Sequence, residues 1–198
     1  MKRTKGIITL LFAIGLFVSC DTERSDDVIW DIAPVDFNLY IADSEGRDLL
    51  DSTCQDNLIK DITVTYQGQT YPVITEREYY QKKYGDTLTR AYMPQFYGLI
   101  LRQSWSTKTL NPDSFMLFFG EFDGKENIEK REITLNLPGG HQTILSYMNR
   151  FRWKSNGAPE KSTVYYLDGQ QVNDDYGKCG VYHFQYSDSD GLKYNISR

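Results

Sequence analysis

Residues 28–198 read as a mainly β domain, a β-sandwich of immunoglobulin-like or related type with at most one or two short helices. Three observations predict it. Apolar and polar residues alternate at period two in segment after segment. Turn clusters rich in Gly, Asp, Asn and Pro separate those segments at short intervals. Aromatics make up 14% of the chain and fifteen of them are tyrosine, residues that suit a pleated, half-buried surface.

Taken in order, Val35, Phe37, Leu39 and Ile41 alternate with Asp36, Asn38 and Tyr40, and Asp43-Ser44-Glu45-Gly46 ends the run as a turn. Ile62, Val64 and Tyr66 alternate with threonines. Gln67-Gly68-Gln69 then turns the chain into Thr70-Tyr71-Pro72-Val73, the clearest hairpin. Thr75-Glu76-Arg77-Glu78 has the spacing of a capping box, no breaker follows up to Tyr84, and Gly85 stands where a C′ glycine would. A short helix is expected there, with a charged loop as the competing reading. Residues 96–101 and 115–119 are apolar runs of the kind found in buried strands. Ile133, Leu135 and Leu137 lead into Pro138-Gly139-Gly140, and a partner strand follows over 143–153. Residues 164–167 and 181–186 complete eight or nine strands.

The N-terminus carries an address. Lys2, Arg3 and Lys5 precede a thirteen-residue uncharged, largely apolar run, 6–18, the layout of a secretory signal. At about 1.5 Å per helical residue this run reaches roughly 20 Å, short of a hydrocarbon core of about 30 Å. The small residue Ser19 directly precedes Cys20, as cleavage by a lipoprotein signal peptidase requires. The expected organisation is a lipoprotein signal peptide over 1–19, a lipidated Cys20 with an acidic leash over 20–27, and a single domain over 28–198. The leash, Asp21-Thr22-Glu23-Arg24-Ser25-Asp26-Asp27, holds no apolar residue and should remain solvated.

Removing residues 1–20 leaves 19 basic against 27 acidic residues, a net charge of −8. That balance argues against nucleic acid and against an anionic membrane surface as partners, since both need a basic patch. The membrane is expected as a partner through the N-terminal lipid. The 171 residues from Val28 suffice for one domain with a real core.

Four stretches carry a resemblance. Trp30-Asp31-Ile32-Ala33-Pro34, the turn Asp43-x-x-Gly46-x-Asp48-Leu49-Leu50-Asp51, Phe119-Gly120-Glu121-Phe122-Asp123-Gly124, and Asn136-Leu137-Pro138-Gly139-Gly140 followed by Thr143-Ile144 are similar to a group of Bacteroidetes-type surface-exposed lipoproteins of unknown function. The resemblance implies a β-rich domain anchored to the outer membrane and displayed at the cell surface. The leash also resembles the surface-export signal of such lipoproteins, whereas an Asp directly after the lipid cysteine in other Gram-negative lineages keeps the domain at the periplasmic face.

Catalytic patterns are sparse. The two histidines, His141 in a turn and His183 in the last strong strand, lack an H-x-H or H-E-x-x-H pairing, and no C-x-x-C occurs. With Tyr182, Phe184 and Tyr186 on the apolar face, His183 should point the other way, towards solvent. No G-x-S-x-G or S-x-x-K is present. No cofactor, metal or catalytic residue is expected. Glu121 and Asp123, two apart at a strand end, offer a carboxylate pair of the glycosidase kind, although a hairpin turn explains them with less. Asp188-Ser189-Asp190-Gly191 fits a solvated turn better than a calcium loop. Among the tryptophans, Trp105 in the polar loop Gln103-Ser104-Trp105-Ser106-Thr107 is the expected sugar-stacking residue. Trp153 is expected in the core, and Trp30 at the edge of the first strand. An exported compartment permits a Cys54–Cys179 disulfide, with two free thiols as the alternative.

The functional expectation is a lipid-anchored envelope or surface protein that acts as a non-enzymatic binding or accessory subunit, with a glycan or an envelope protein as partner. The alternatives are a carbohydrate-binding component of a glycan-uptake system and a hydrolase with an unmotifed carboxylate site. Cells fed a clickable palmitate analogue should label the protein through Cys20. Cys20→Ser should abolish the label, and label persisting in that variant would remove the anchor.

Overall fold

The computed structural model describes residues 31–84, 98–104 and 114–195. Period-two patterning produces strands wherever a neighbour can complete the hydrogen-bond ladder. These are β1 (Val35–Ala42), β2 (Thr63–Tyr66), β3 (Gln69–Thr75), β4 (Leu99–Gln103), β5 (Phe115–Phe122) and β6 (Ile128–Asn136). They continue with β7 (Gln142–Trp153), β8 (Pro159–Leu167), β9 (Gln170–Gln171), β10 (Val181–Ser187) and β11 (Gly191–Tyr194). The mainly β class holds. The eleven strands form one strongly curled sheet, a half-barrel and not clearly a sandwich, in the order β11-β10-β1-β5-β4-β3-β2-β6-β7-β8-β9. The join is β3, which pairs antiparallel with β2 through Tyr66↔Gln69 and parallel with β4 through Ile74↔Ile100.

The local signals explain most elements. Gln67 and Gly68, both at positive φ (50° and 76°), make the tight turn of the β2–β3 hairpin. Thr75 and Glu78 cap α1 (Glu76–Tyr84) reciprocally: the Glu78 N–H donates to Thr75 Oγ1 at 3.2 Å, and the Thr75 N–H donates to the Glu78 carboxylate at 2.7 Å. Gly85, the expected C′ residue, lies outside the described residues. The helix belongs to the connection between β3 and β4, which a parallel pair requires. Among the described residues no helix is long and apolar enough to cross a membrane.

The inward faces of the curl meet in an aromatic core. Phe37 of β1 packs edge-on to Tyr165 of β8 at 5.5 Å and to Tyr147 of β7 at 6.1 Å between ring centroids, and stacks with Tyr182 of β10 at 6.1 Å. Phe122 lies 5.2 Å from Tyr147 and 5.4 Å from Tyr66. Burial pushes the Tyr147 hydroxyl up to about 12, and Arg131 donates to it at 3.3 Å. A second, smaller cluster on the outer face, Ile74, Ile100, Phe118 and Tyr79, seats α1 against β3, β4 and β5. The chain crosses the open side of the curl on its way from β9 to β10. There Tyr194 donates to Asp174 at 2.7 Å, and the Asn38 N–H donates to the Gly180 carbonyl at 2.8 Å.

Trp153 corrects one expectation, for it is 52% exposed and stands outside the core. The last pairing of β6 with β7 is Ile128↔Asn149. Residues of β7 beyond it pair only with β8, as Phe151↔Lys161, Arg152↔Glu160 and Trp153↔Pro159. The alternation that made Trp153 look internal continues past the point where β7 loses β6 as a neighbour. Trp30 and Trp105 lie outside the described residues.

Phe37→Ala removes a fully buried ring and should cost about 3–5 kcal/mol in urea unfolding. Trp153→Ala should stay within about 0.5 kcal/mol of the parent. The reverse order would mean that core and ribbon are exchanged.

Candidate binding surface

A bulge in β5 decides what the Glu121–Asp123 pair can do. The β1–β5 register slips between Val35 and Asp36, and Gly120 sits at φ 151° with Glu121 at φ 66°. A Cβ on Gly120 would stand 2.6 Å from the Asp36 Cα, so only glycine fits. The extra residue lets Phe119 and Phe122, three apart, enter one core at 6.1 Å. It also turns Glu121 towards α1, where its carboxylate accepts from the Tyr79 hydroxyl at 2.6 Å and from Lys83 Nζ at 2.5 Å. The Lys83 side chain is only 6% exposed. Burial pulls the Lys83 ammonium down, but the bonds from Glu121 and Tyr79 outweigh it and hold the group well above its ordinary range. Asp123 instead forms a turn, accepting from the Lys125 N–H at 2.8 Å. The bulge therefore separates the two carboxylates that period two would have placed on one face.

The other sequence candidates also occupy structural positions. His141 Nε2 bonds the Asp188 carbonyl at 2.9 Å, which ties the Pro138–Gly140 turn to the β10–β11 turn. His183 faces away from the core, as the alternation predicts, and is half-buried by aromatic neighbours. Its ring stacks on Tyr40 at 4.8 Å with 9° between planes, and Tyr176 meets it edge-on at 5.4 Å. Cys54 and Cys179 are both free thiols, Cys54 partly buried against the core and Cys179 exposed at the end of the Gly177–Cys179 3₁₀ turn. No group of three His, Cys, Asp or Glu side chains among the described residues could hold a metal ion. Cys20 and Trp105 lie outside the described residues.

A further surface among the described residues is the two-stranded ribbon of residues 150–162. Its base is the fully buried Asn149, whose Nδ2 donates to the carbonyls of Gly124 at 3.0 Å and Glu126 at 2.7 Å, while its Oδ1 accepts from Thr163 at 2.8 Å. Asn127 completes the base by accepting the Phe151 N–H at 2.7 Å. Beyond it the pleat sorts the side chains. Phe151, Trp153, Pro159 and Lys161 share the face that continues the core side; Arg150, Arg152, Glu160 and Ser162 share the other. Phe151 and Trp153 meet edge to face at 5.2 Å.

On the polar face, a groove of 620 Å³ is lined by Asn127, Arg150, Phe151, Arg152, Glu160 and Ser162. Arg152 pairs with Glu160, and Lys154 lies 3.8 Å from the same carboxylate. One carboxylate thus serves two cations, and no side-chain partner of Arg150 is found among the described residues. Guanidinium forks suit anionic groups, and the adjoining rings suit apolar surface. Sequence reasoning missed this site because it read Trp153 as core. The signal was present in Arg150-Phe151-Arg152-Trp153-Lys154, a strand more polar and more basic than a core-facing one.

Burial lowers the His183 imidazole below its ordinary 6.5, with the Asp174 charge pulling partly back. The unfolded chain then takes its proton at a higher pH than the fold does. The stability of the neutral ring is complete above pH 6.5 and declines as pH falls through that value. The Tm of the parent should drop between about pH 7 and pH 5.5, and His183→Phe should flatten that slope. A slope unchanged in the variant would clear His183 of the effect.

Comparison with protein-family models, with curated proteins and with solved structures finds no match to this chain.

Proposed function

We propose that the chain is a lipoprotein held through Cys20 at the outer membrane, facing the cell surface, where it acts as a non-enzymatic binding or accessory subunit. The observation that carries the non-enzymatic part is the state of Glu121. Its charge is matched by Lys83 and its carboxylate also accepts from Tyr79, while Asp123 is spent on a turn. A carboxylate already paired and hydrogen-bonded inside the fold serves to fasten α1 to β5, and it is poorly placed to move a proton on a substrate. The signal layout around Cys20 and the acidic leash support the location.

A carbohydrate-binding role is the second reading, and one observation favours it. An exposed tryptophan that shares a surface pocket with Arg152, Lys154, Ser155 and Asn156 is the composition that stacks and hydrogen-bonds a sugar. On this reading the stacking residue is Trp153.

A panel of soluble glycans separates the two readings. The full-length protein should release no reducing sugar from any of them. Release that disappears in Glu121→Gln would overturn the non-enzymatic reading. Saccharide binding lost in Trp153→Ala, with the Tm retained, would establish the carbohydrate role.

A further inference from the structure

We propose that the 150–162 ribbon is a membrane-docking element, which seats against the phosphate-bearing headgroups of the bilayer that holds the anchor. The inference rests on the lipid attachment at Cys20 proposed above and adds a second contact to it.

Three observations converge on this end of the molecule. The first is where the chain enters the fold. Lys161 Nζ donates to the carbonyls of Ala33 at 2.7 Å and Pro34 at 3.2 Å. Ile32 and Ala33 also pass so close over Gly124 that a Cβ there would meet the Ala33 carbonyl at 2.3 Å. Gly124 is the residue whose carbonyl holds Asn149, the base of the ribbon. Residues 32–34, which precede β1, and the root of the ribbon therefore lie together. Twelve residues lie between Cys20 and Ala33, a tether of at most about 45 Å. The ribbon meanwhile reaches about 14 Å past Asn149 by strand rise alone.

Charge is the second observation. The mature chain carries a net −8, yet the ribbon has Arg150, Arg152, Lys154 and Lys161 against Glu160 alone, a local +3. An acidic protein that concentrates cations beside residues 32–34 offers a local complement to an anionic lipid surface.

The third observation is the apolar tip. Trp153 is 52% exposed with Phe151 edge-on to it and Pro159 directly across the strand pair. Tryptophan flanked by arginine and lysine is the composition of the membrane interface, where the ring lies at headgroup depth and long cationic side chains reach the phosphates. The acidic leash offers charge for the cations but has no apolar residue for Trp153, so it matches the ribbon less well than lipid does.

The test uses the full acylated chain reconstituted into vesicles of phosphatidylcholine and phosphatidylglycerol whose acyl chains are brominated near the glycerol. Tryptophan fluorescence should be quenched, and most of the quenching should vanish in Trp153→Tyr although Trp30 and Trp105 remain. Replacing Arg150, Arg152 and Lys154 by glutamine should lower the docked population by about fivefold per charge at low salt. Vesicles of phosphatidylcholine alone should show the same weakening.

Four results would overturn the proposal: a parent that is not quenched; quenching that survives Trp153→Tyr; quenching indifferent to lipid charge; or relief of quenching by soluble saccharide, which would give the ribbon to a sugar. Quenching that appears only after Asp21, Glu23, Asp26 and Asp27 are neutralised would give it to the leash and count equally against docking. Failure of the anchor is read separately. If the protein takes no palmitate label, the attachment at Cys20 is what falls. The same quenching with the non-acylated chain at excess lipid then decides the ribbon, its presence supporting docking and its absence ending it.

Discussion

The rest of the structure depends on one close approach, the passage of β1 over Gly120. With 2.6 Å between the Asp36 Cα and the place a Cβ would occupy, and φ at 151°, that position accepts no side chain. The slip it creates has consequences on both faces of the sheet. Inside, Phe119 and Phe122 join the same aromatic cluster. Outside, Glu121 reaches Lys83 and Tyr79 and so fixes α1. Because β1 also pairs with β10, the bulge sits at the seam where the start and the end of the chain meet.

The aromatic core follows from this seam. A single curled sheet can bury both ends of its inner face only if side chains span the gap, and Phe, Tyr and their edge-to-face contacts are long enough to do so. The cost is a set of tyrosine hydroxyls taken out of water. Arg131 relieves Tyr147 and Asp174 relieves Tyr194, while the Tyr182 hydroxyl is buried with no hydrogen-bond partner among the described residues. Burial accordingly pushes the Tyr182 hydroxyl far above its ordinary range.

The ribbon is the opposite case. Two strands alone are marginal in water, and Trp153 stays 52% exposed with Phe151 edge-on to it. It persists because its root is locked: Asn149 satisfies its amide entirely within the fold, and Lys161 holds the incoming chain. A rigid root with an exposed tip is a cost to folding that a contact surface explains. The placement of Glu121 argues in the same direction, since the one carboxylate pair visible in the sequence is spent on structure and the exposed chemistry lies elsewhere.

Local interactions were legible without the fold. The capping box at Thr75 and Glu78, the Gln67-Gly68 turn, the alternation of β1, β2, β6 and β10, and the outward position of His183 each depend on neighbours a few residues away. The short strands β9 and β11 escaped notice because two to four residues are too few to show a period. Only tertiary structure decided the rest. The parallel pairing of β1 with β10 joins residues more than a hundred positions apart, and period two is identical for a sandwich, a barrel and a single curled sheet. Trp153 shows the limit most clearly. Alternation assigns a side chain to a face, but whether that face is core or solvent depends on what the fold brings against it, and beyond Asn149 β7 has lost its β6 neighbour and Trp153 stands exposed.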